Sequence, residues 1–364
     1  MTNKIAIIGG GIVGSTAAFY LHQAGAQVTL FDEGTGQATK AAAGIISPWL
    51  SKRRNQQWYR LATAGAALFN ELVMDAHLTH DVYAKTGTIL TRANLDDLDA
   101  LEALTYERRE NAPDLGEIYR LNEGSIRAML PFVQHTAPGI LITGGARIDG
   151  EQFCLALQRA AAVTARHERV ALTPNGAVQT AAQIESFDAV IVAAGAWLPE
   201  LLAPLGLAVA VRPQKGQLIE LSLPKRPQDD QQPVLMPEGE RDFIPTGQGR
   251  LIVGATHEND QGFDRTESDE IKTDLLASAQ RVIPDVQAAN ITRVRVGTRA
   301  YTADFAPFFG AVPGHPTLFS ASGLGSSGLT TGPIIGQQLA AMALGQQVNV
   351  TDYTKPLTNY MHVI

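Results

Sequence analysis

"KIAIIGGGIVGSTAAFYL", from Lys4 to Leu21, decides the fold. The apolar run Ile5–Ile8 is short and rich in isoleucine, so it reads as a buried strand. Three glycines end it, and a helix-like stretch of small and apolar residues follows. Gly9, Gly11 and Gly14 fit G-x-G-x-x-G. Gly9 permits the tight turn, Gly11 lets the backbone approach a pyrophosphate, and Gly14 lets the helix pack closely on the strand. A helix N-terminus at this point offers free N–H groups and a positive dipole end to phosphates. Val13, Ala17 and Leu21 lie one turn apart and are expected to face the sheet. A second strand, "AQVTLFDEG", ends at Asp32, 23 residues after Gly9. That carboxylate suits a ribose hydroxyl and would repel a 2′-phosphate. The expected fold class is α/β, α+β overall, with a Rossmann-like N-terminal unit. NAD and FAD are both open at this point.

The next segment, "TKAAAGIISPWL", runs from Thr39 to Leu50. Its small residues Ala41, Ala42, Ala43 and Gly44 would let a flat ring lie against the backbone. They fit a tightly packed helix start equally well.

Composition narrows the partners. The 364 residues are 45% hydrophobic and 18% charged, with a net charge of −7. No block of lysine and arginine is present, which argues against nucleic acid or an anionic membrane. No apolar stretch reaches the ~18 residues of a membrane span. The N-terminus passes straight into a core strand, leaving no room for a signal peptide, so the cytoplasm is the expected location. Cys154 is the single cysteine, so neither an intrachain disulfide nor a cysteine metal cluster is expected, and no metal site is read.

Further along, helices are expected over 57–79, 94–111, about 150–163, 266–283, and from the last glycine-rich turn to about Leu344. "FDAVIVAAGAWLPEL" reads as a buried parallel strand, Ala189–Ala193, ending in a turn at Ala194 and Gly195. Val211 to Thr256 alternates like an antiparallel sheet, interrupted by an exposed loop, "PKRPQDDQQP". "RVRVGTRAYTADFAPFFG" reads as strand followed by loop, with Arg299 just after the strand. Zinc spacings, a P-loop and a G-x-S-x-G elbow are all missing from the sequence.

Several segments together resemble the D-amino acid oxidase family of FAD-dependent amine oxidoreductases, most of all its glycine oxidase branch. In order they are "IIGGGIVGSTAAFYL", "AAAGII", "GARIDGEQF", "DAVIVAAGAWLPEL", "VRPQKGQLIEL", "GRLIVGATHENDQGFD", "VGTRAYTADFAPFFG" and "SGLGSSGLTTGPIIGQQLA". They span nearly the whole chain. The resemblance implies FAD and a Rossmann-like FAD-binding domain with an inserted antiparallel-sheet substrate domain. It also implies oxidative deamination of a small amino acid, such as glycine, an N-methyl amino acid or a D-amino acid. A hydride leaves Cα for flavin N5, and water hydrolyses the resulting imine. The FAD-binding domain is expected over 1–80, 140–210 and 295–364, and the substrate domain over 81–139 and 211–294.

Carried over residue by residue, Gly9, Gly11, Gly14 and Asp32, with Ile12, Val13 and Glu33 beside them, match ADP-binding positions. Thr39, Lys40, Ala42, Ala43, Gly44 and Ile45 match the segment along the pyrophosphate and the flavin ring. Val170 matches the residue whose backbone meets the adenine, and Ala194, Gly195 and Trp197 a segment passing the cofactor. Gly323, Gly325, Ser326, Ser327, Gly328, Leu329 and Thr330 match the turn and helix start that face the flavin. Arg299 matches the arginine gripping the substrate carboxylate, whose planar fork suits a bidentate pair. The bland alternative is an ion pair with a neighbour such as Asp304. Tyr301 and Asp242 complete the implied substrate residues.

Two departures stand out. Glycine oxidases carry a tyrosine where this chain has Asp242, and an arginine where it has Ser326. Sarcosine-oxidase relatives attach flavin through a cysteine near "Y-T". "RAYTADF" holds none, so the FAD is expected to be non-covalent. Arg53 and Arg54 read as solvent-facing or bonded to phosphate or backbone, with a second substrate anchor as the alternative. His257 reads as a loop residue rather than a proton carrier. Two rival readings of the chain stand beside the main one: a NAD-dependent dehydrogenase, and a flavin-binding protein without amino-acid turnover. Either oxygen or a quinone fits as electron acceptor, and a homo-oligomer is compatible with the sequence.

Overall fold

The computed structural model describes residues 3–36, 38–51, 55–239 and 241–364. The chain opens with β1 (Lys4–Ile8), α1 (Ile12–Gln23) and β2 (Gln27–Phe31), followed by α2 (Gln56–Asp75). Then come β3 (Thr88–Thr91), α3 (Leu95–Asn111), β4 (Ile118–Leu121), α4 (Glu123–Met129) and β5 (Gly139–Ile142). α5 (Gly150–Ala160) and β6 (Ala189–Val192) lead to a run of longer strands: β7 (Arg212–Ser222), β8 (Val234–Met236), β9 (Asp242–Gly247) and β10 (Arg250–Gly254). α6 (Asp269–Gln280), β11 (Ile291–Tyr301), β12 (Phe308–Val312), β13 (His315–Ser322) and α7 (Gly328–Ala343) complete the main elements.

Two sheets organise them. The first has five strands in the order β12-β13-β6-β1-β2. Its four strands from β13 to β2 are parallel, and β12 closes the edge antiparallel. Strand pleating sends Ile5 and Ile7 to one side and Ala6 and Ile8 to the other. On the first side they pack with Val13, Ala17 and Leu21 of α1 and Ile335 and Leu339 of α7, as the one-turn spacing of α1 predicts. On the second side Ala6 and Ile8 meet Val190, Val192, Leu198 and Phe308. Both faces are covered, which is why β1 and β6 read as continuous apolar runs.

The second sheet has eight strands in the order β11-β7-β10-β9-β8-β3-β5-β4, antiparallel except for the β8–β3 pair. One face, with Ile89, Ile219, Phe243 and Val253, is covered by Ile126 of α4 and Leu275 and Ala279 of α6. The opposite face presents Leu218, Val234, Ile244 and Ile252 to Ala43 and Ile45 of the segment after β2. The site lies on this second face.

Most expected helices and the antiparallel run fall where the sequence puts them. Two details differ. Arg299 does not follow a strand: β11 continues to Tyr301 and pairs with β7 along its length. β11 also runs through the boundary expected at 294/295, so residues 295–301 are sheet-bonded to 212–218 rather than to the five-stranded sheet.

Candidate active site

The glycine turn after β1 is built as its spacing requires. Gly9 has φ +106°, and a Cβ there would stand 2.4 Å from the Ala193 carbonyl oxygen. At Gly14 a Cβ would come 1.9 Å from the Gly9 oxygen, so α1 seats on its own turn only without a side chain. Asp32 holds the turn from the side. Its Oδ2 accepts from the Gly10 N–H at 3.0 Å and its Oδ1 from the Gly34 N–H at 2.7 Å. The N-terminal N–H groups of α1 are not all free as expected: the Ile12 N–H already donates to Thr39 Oγ1 at 3.1 Å. Thr39 thereby ties the small-residue segment to the helix start.

This turn opens on a cavity of about 500 Å³ that reaches the eight-stranded sheet. That size is ordinary for a ligand site. Its wall brings together most of the residues picked out from the sequence. At one end stand Gly9, Gly11, Ile12, Val13, Asp32, Glu33 and Val170. Along the middle run Thr39, Lys40, Ala42, Ala43, Gly44 and Ile45, with Ala194, Gly195 and Trp197 opposite. Gly325 and Ser326 come from the turn before α7, Gly328 and Leu329 from its start, and Arg299 and Asp242 from the second sheet. Ala43 and Ile45 meet the sheet face directly, so the segment after β2 is a wall between two sheets rather than the start of a helix.

Five expected residues do not line it. Gly14 is spent on packing. Gly323, with φ +75°, shapes the turn before α7. Ser327 Oγ is engaged by the Trp58 indole N–H at 3.0 Å and itself donates to the Leu324 carbonyl at 2.9 Å. Thr330 faces α2, where its carbonyl stands 2.0 Å from the position a Cβ on Gly65 would take. Tyr301, expected among the substrate residues, lies close to Arg299 but is only 3% exposed. Its ring lies beneath Gly325 and packs edge-on to Phe305 at 5.5 Å, with the Arg212 guanidinium over it. Arg53 and Arg54 lie outside the described residues. Cys154 reaches the wall but is 3% exposed, and burial pushes its thiol up to about 12, so it stays protonated.

The second-sheet end brings Arg299 and Asp242 to the cavity. Arg299 Nη1 donates to Gln214 Oε1 at 3.1 Å and to the Thr256 carbonyl at 2.8 Å. Its guanidinium lies flat on Gly216, where a Cβ would stand 2.6–2.7 Å from Nη1, Cζ and Nη2. Among the described residues no carboxylate lies within ion-pair distance of it; burial pulls its pKa below the ordinary arginine value, opposed in part by the nearby Tyr301 and Glu258. The alternative partner Asp304 is taken: it accepts from Lys355 at 2.5 Å and from the Tyr360 hydroxyl at 3.0 Å. Asp242 sits opposite Gly254 across β9 and β10, and burial raises its carboxyl to about 7.

Sequence reasoning missed Gly216, Gln214 and Thr256. "P-x-K-G-Q" was visible as a motif, but only the sheet register shows that its glycine is the seat of Arg299. Gln214 Nε2 also donates to Asn259 Oδ1 at 3.0 Å, which accepts from Arg212 as well. His257 lines the cavity from the loop after β10. That loop, 255–268, crosses to the first sheet. Lys215 Nζ holds it through Asp264 and the Thr266 carbonyl, Arg265 donates to the Thr35 carbonyl at 2.6 Å, and Phe263 packs on Trp197 at 4.6 Å between ring centres.

The cavity fits a dinucleotide. α1 begins Ile-Val-Gly-Ser and α7 Gly-Leu-Thr-Thr, so both open on the cavity with no acidic residue in the first turn. Each therefore presents an unopposed positive dipole end to an anionic group. Among the described residues no cluster of metal-ligating side chains occurs, and no helix is long and apolar enough to cross a membrane.

Comparison with known proteins agrees. Residues 4–342 match the family model DAO, FAD dependent oxidoreductase. The chain is 38% identical over 356 residues to the "uncharacterized oxidoreductase YurR" of Bacillus subtilis (strain 168), covering 94% of this chain and 95% of that one. It is 28% identical over 376 residues to the glycine oxidase of Pseudomonas putida KT2440, covering 95% and 96%. The crystal structure of iminodiacetate oxidase (IdaA) from Chelativorans sp. BNC1 superposes with a TM-score of 0.90 at 32% identity, over 98% of each chain.

Proposed function

The chain belongs to the DAO family of FAD-dependent oxidoreductases, and on that footing we propose that it oxidises the carbon–nitrogen bond of a small amino acid held by its carboxylate on Arg299. The carrying observation is that guanidinium: desolvated, fixed by Gln214 and Thr256, and without a carboxylate partner among the described residues. A half-buried cation of this kind is costly until an anion meets it. Its fork would bind the carboxylate bidentately and so orient the neighbouring C–H bond. The names glycine oxidase and iminodiacetate oxidase put primary and secondary amino acids in range; glycine, an N-methyl amino acid and a D-amino acid are the candidates.

FAD, once bound, supplies the two-electron acceptor for the hydride of that C–H bond. In this reading Asp32 accepts from a ribose hydroxyl and the start of α1 faces the pyrophosphate. The start of α7 stabilises negative charge at the far end by about 0.3–1 kcal/mol. Trp197, on the cavity wall, is backed by the Phe263 ring and would shield that part of the site from water. With β11 assigned by its pairing, the FAD-binding part comprises about 1–80, 140–210 and 302–364, and the substrate part the remainder. The FAD is held non-covalently.

The test is an anaerobic panel of amino acids, read by bleaching of the flavin absorbance. At least one primary or secondary amino acid should bleach it, and Arg299→Lys and Arg299→Met should lose roughly tenfold to a hundredfold or more in efficiency with FAD content intact. Full activity of Arg299→Met, or its loss of FAD, overturns the role given to Arg299. An untouched flavin spectrum across the panel favours a flavin-binding protein without turnover.

A further inference from the structure

Asp242 is the second uncompensated charge of the cavity. It lies on β9 between residues whose directions are known. Phe243 points into the core under α4 and α6, while Ile244 joins the cavity face with Ala43 and Ile45. Strand alternation puts Asp242 on the same face as Ile244, and it lines the cavity wall. Its register partner is Gly254, which has no side chain to cover it. Two residues further along that chain is Thr256, whose carbonyl accepts from Arg299. The acid and the guanidinium therefore converge on one end of β10 from opposite sides. Among the described residues Asp242 has no hydrogen-bond donor and no cation.

The surroundings explain why it is unmatched. Just before its own strand, Arg241 is engaged by the Ala255 carbonyl and Asp274. β10 ends in Gly254 and Ala255, with His257 beyond them on the wall. β7 presents Gly216 and Leu218, β8 presents Val234 and Met236, and the segment after β2 presents Ala43 and Ile45. From β11 comes Arg299. The charged and titratable groups of the described residues near this end are thus Arg299 and His257, with Glu258 and Tyr301 close to Arg299; Glu258 is held by Thr256 Oγ1 and Gln217 Nε2. Burial, with no counter-charge, raises the Asp242 carboxyl to about 7.

One unpaired cation and one unpaired acid in one cavity are the mirror image of a zwitterion. We propose that Asp242 binds the substrate's ammonium group and takes one proton from it, while Arg299 holds the carboxylate. This rests on the reading of Arg299 given above and adds a catalytic residue to it. In the step, an N–H bond of the ammonium breaks and an O–H bond forms on Asp242. The bonding pair stays on nitrogen as the lone pair that oxidation of the adjoining C–H bond requires. Asp242 then returns its proton to solvent. The site accordingly selects amino acids that carry at least one N–H when protonated, and disfavours simple carboxylates whenever Asp242 is ionised.

The test uses the FAD-loaded protein, with acetate as a carboxylate lacking an amine, and flavin absorbance as the readout. Acetate should bind the wild type at least tenfold more weakly at pH 8.5 than at pH 6, because ionised Asp242 repels it. Asp242→Asn, which keeps the shape, should remove most of that pH dependence. With the amino acid that bleaches the wild type fastest, anaerobic flavin reduction at pH 7 should fall by about a hundredfold or more in Asp242→Asn, in the range of a lost general base. Its rate should then follow the substrate ammonium's own titration instead of a step near pH 7. Acetate binding that keeps its full pH dependence in Asp242→Asn assigns the titration to another group and overturns the proposal. So does a reduction rate within a few fold of wild type. Arg299→Met separates the two readings: acetate binding unaffected by it sinks the carboxylate site itself, whereas acetate lost in Arg299→Met with an unchanged Asp242→Asn profile sinks only this proposal.

Discussion

The Arg299 guanidinium rests on the Cα of Gly216, close enough that a methyl group there would overlap Cζ at 2.7 Å. β11 and β7 are adjacent strands, with Gly297 opposite Gly216 and Arg299 opposite Gln214. The side chain can cross β7 to reach the Thr256 carbonyl only because the residue in its path has no Cβ.

Gly216→Ala follows directly. The methyl would lift the guanidinium off its two acceptors and strain the sheet by about 1–3 kcal/mol. FAD content should remain near wild type, since the dinucleotide turn is remote. Acetate affinity should fall tenfold to a hundredfold, as expected when a charge-assisted pair is misplaced. Unchanged acetate binding in the alanine variant would remove Gly216 as the seat of the anion site.

The cofactor end gives an independent prediction. Asp32 holds two turn N–H groups and faces the cavity. Asp32→Ala frees both donors and deletes the ribose acceptor, so the purified protein should carry clearly less flavin. Heat or acid should release FAD intact from the wild type, because Cys154 is the only cysteine and its thiol stays protonated. Flavin that co-precipitates with the denatured chain contradicts this, and full occupancy in Asp32→Ala contradicts the role of the carboxylate.

The 255–268 loop should govern release of the cofactor. Phe263 is 47% exposed, so its ring adds little to the core, yet it packs on Trp197 at the mouth. Phe263→Ala combined with Arg265→Ala removes both ties to the first sheet and leaves the Lys215–Asp264 anchor in place. The melting temperature should change by only a degree or two, while FAD dissociation into a large excess of an apo-flavoprotein that binds FAD tightly accelerates several-fold. A dissociation rate equal to wild type would make the loop a bystander.

Particular residues show what the sequence could and could not reveal. Gly9, Gly14 and Asp32 act within one βαβ unit, so their spacing alone carries the geometry. Val13, Ala17 and Leu21 found their sheet because helical period is local. Arg299 was visible as a residue, but not its strand or its seat, since both depend on pairing with residues some 85 positions earlier. The surroundings of Tyr301 were hidden for the same reason. Tyr301 shares a motif with Arg299, yet Gly325, from a distant turn, closes over its ring. β13 escaped notice because an eight-residue run beginning His-Pro-Thr has no clear period, and burial between β12 and β6 makes it a strand.

Asp242 links function to stability with a definite sign. Its carboxyl titrates at about 7 in the folded protein against an ordinary 3.8. Between those values the folded state holds a proton that the unfolded chain has lost, so stability falls as pH rises from about 4 to about 7 and is level above that. The upper limit is roughly 4 kcal/mol at about 1.4 kcal/mol per pH unit, and access of water from the cavity reduces it. Asp242→Asn has no charge to desolvate. The FAD-loaded variant should melt a few degrees above wild type at pH 8, and the two curves should converge near pH 4. Stabilisation with loss of turnover is the pattern expected of a residue kept for chemistry at the expense of the fold. A melting difference that is constant from pH 4 to pH 8 would mean that Asp242 does not titrate where its burial puts it, and that the uncompensated acid of this cavity is matched by another group.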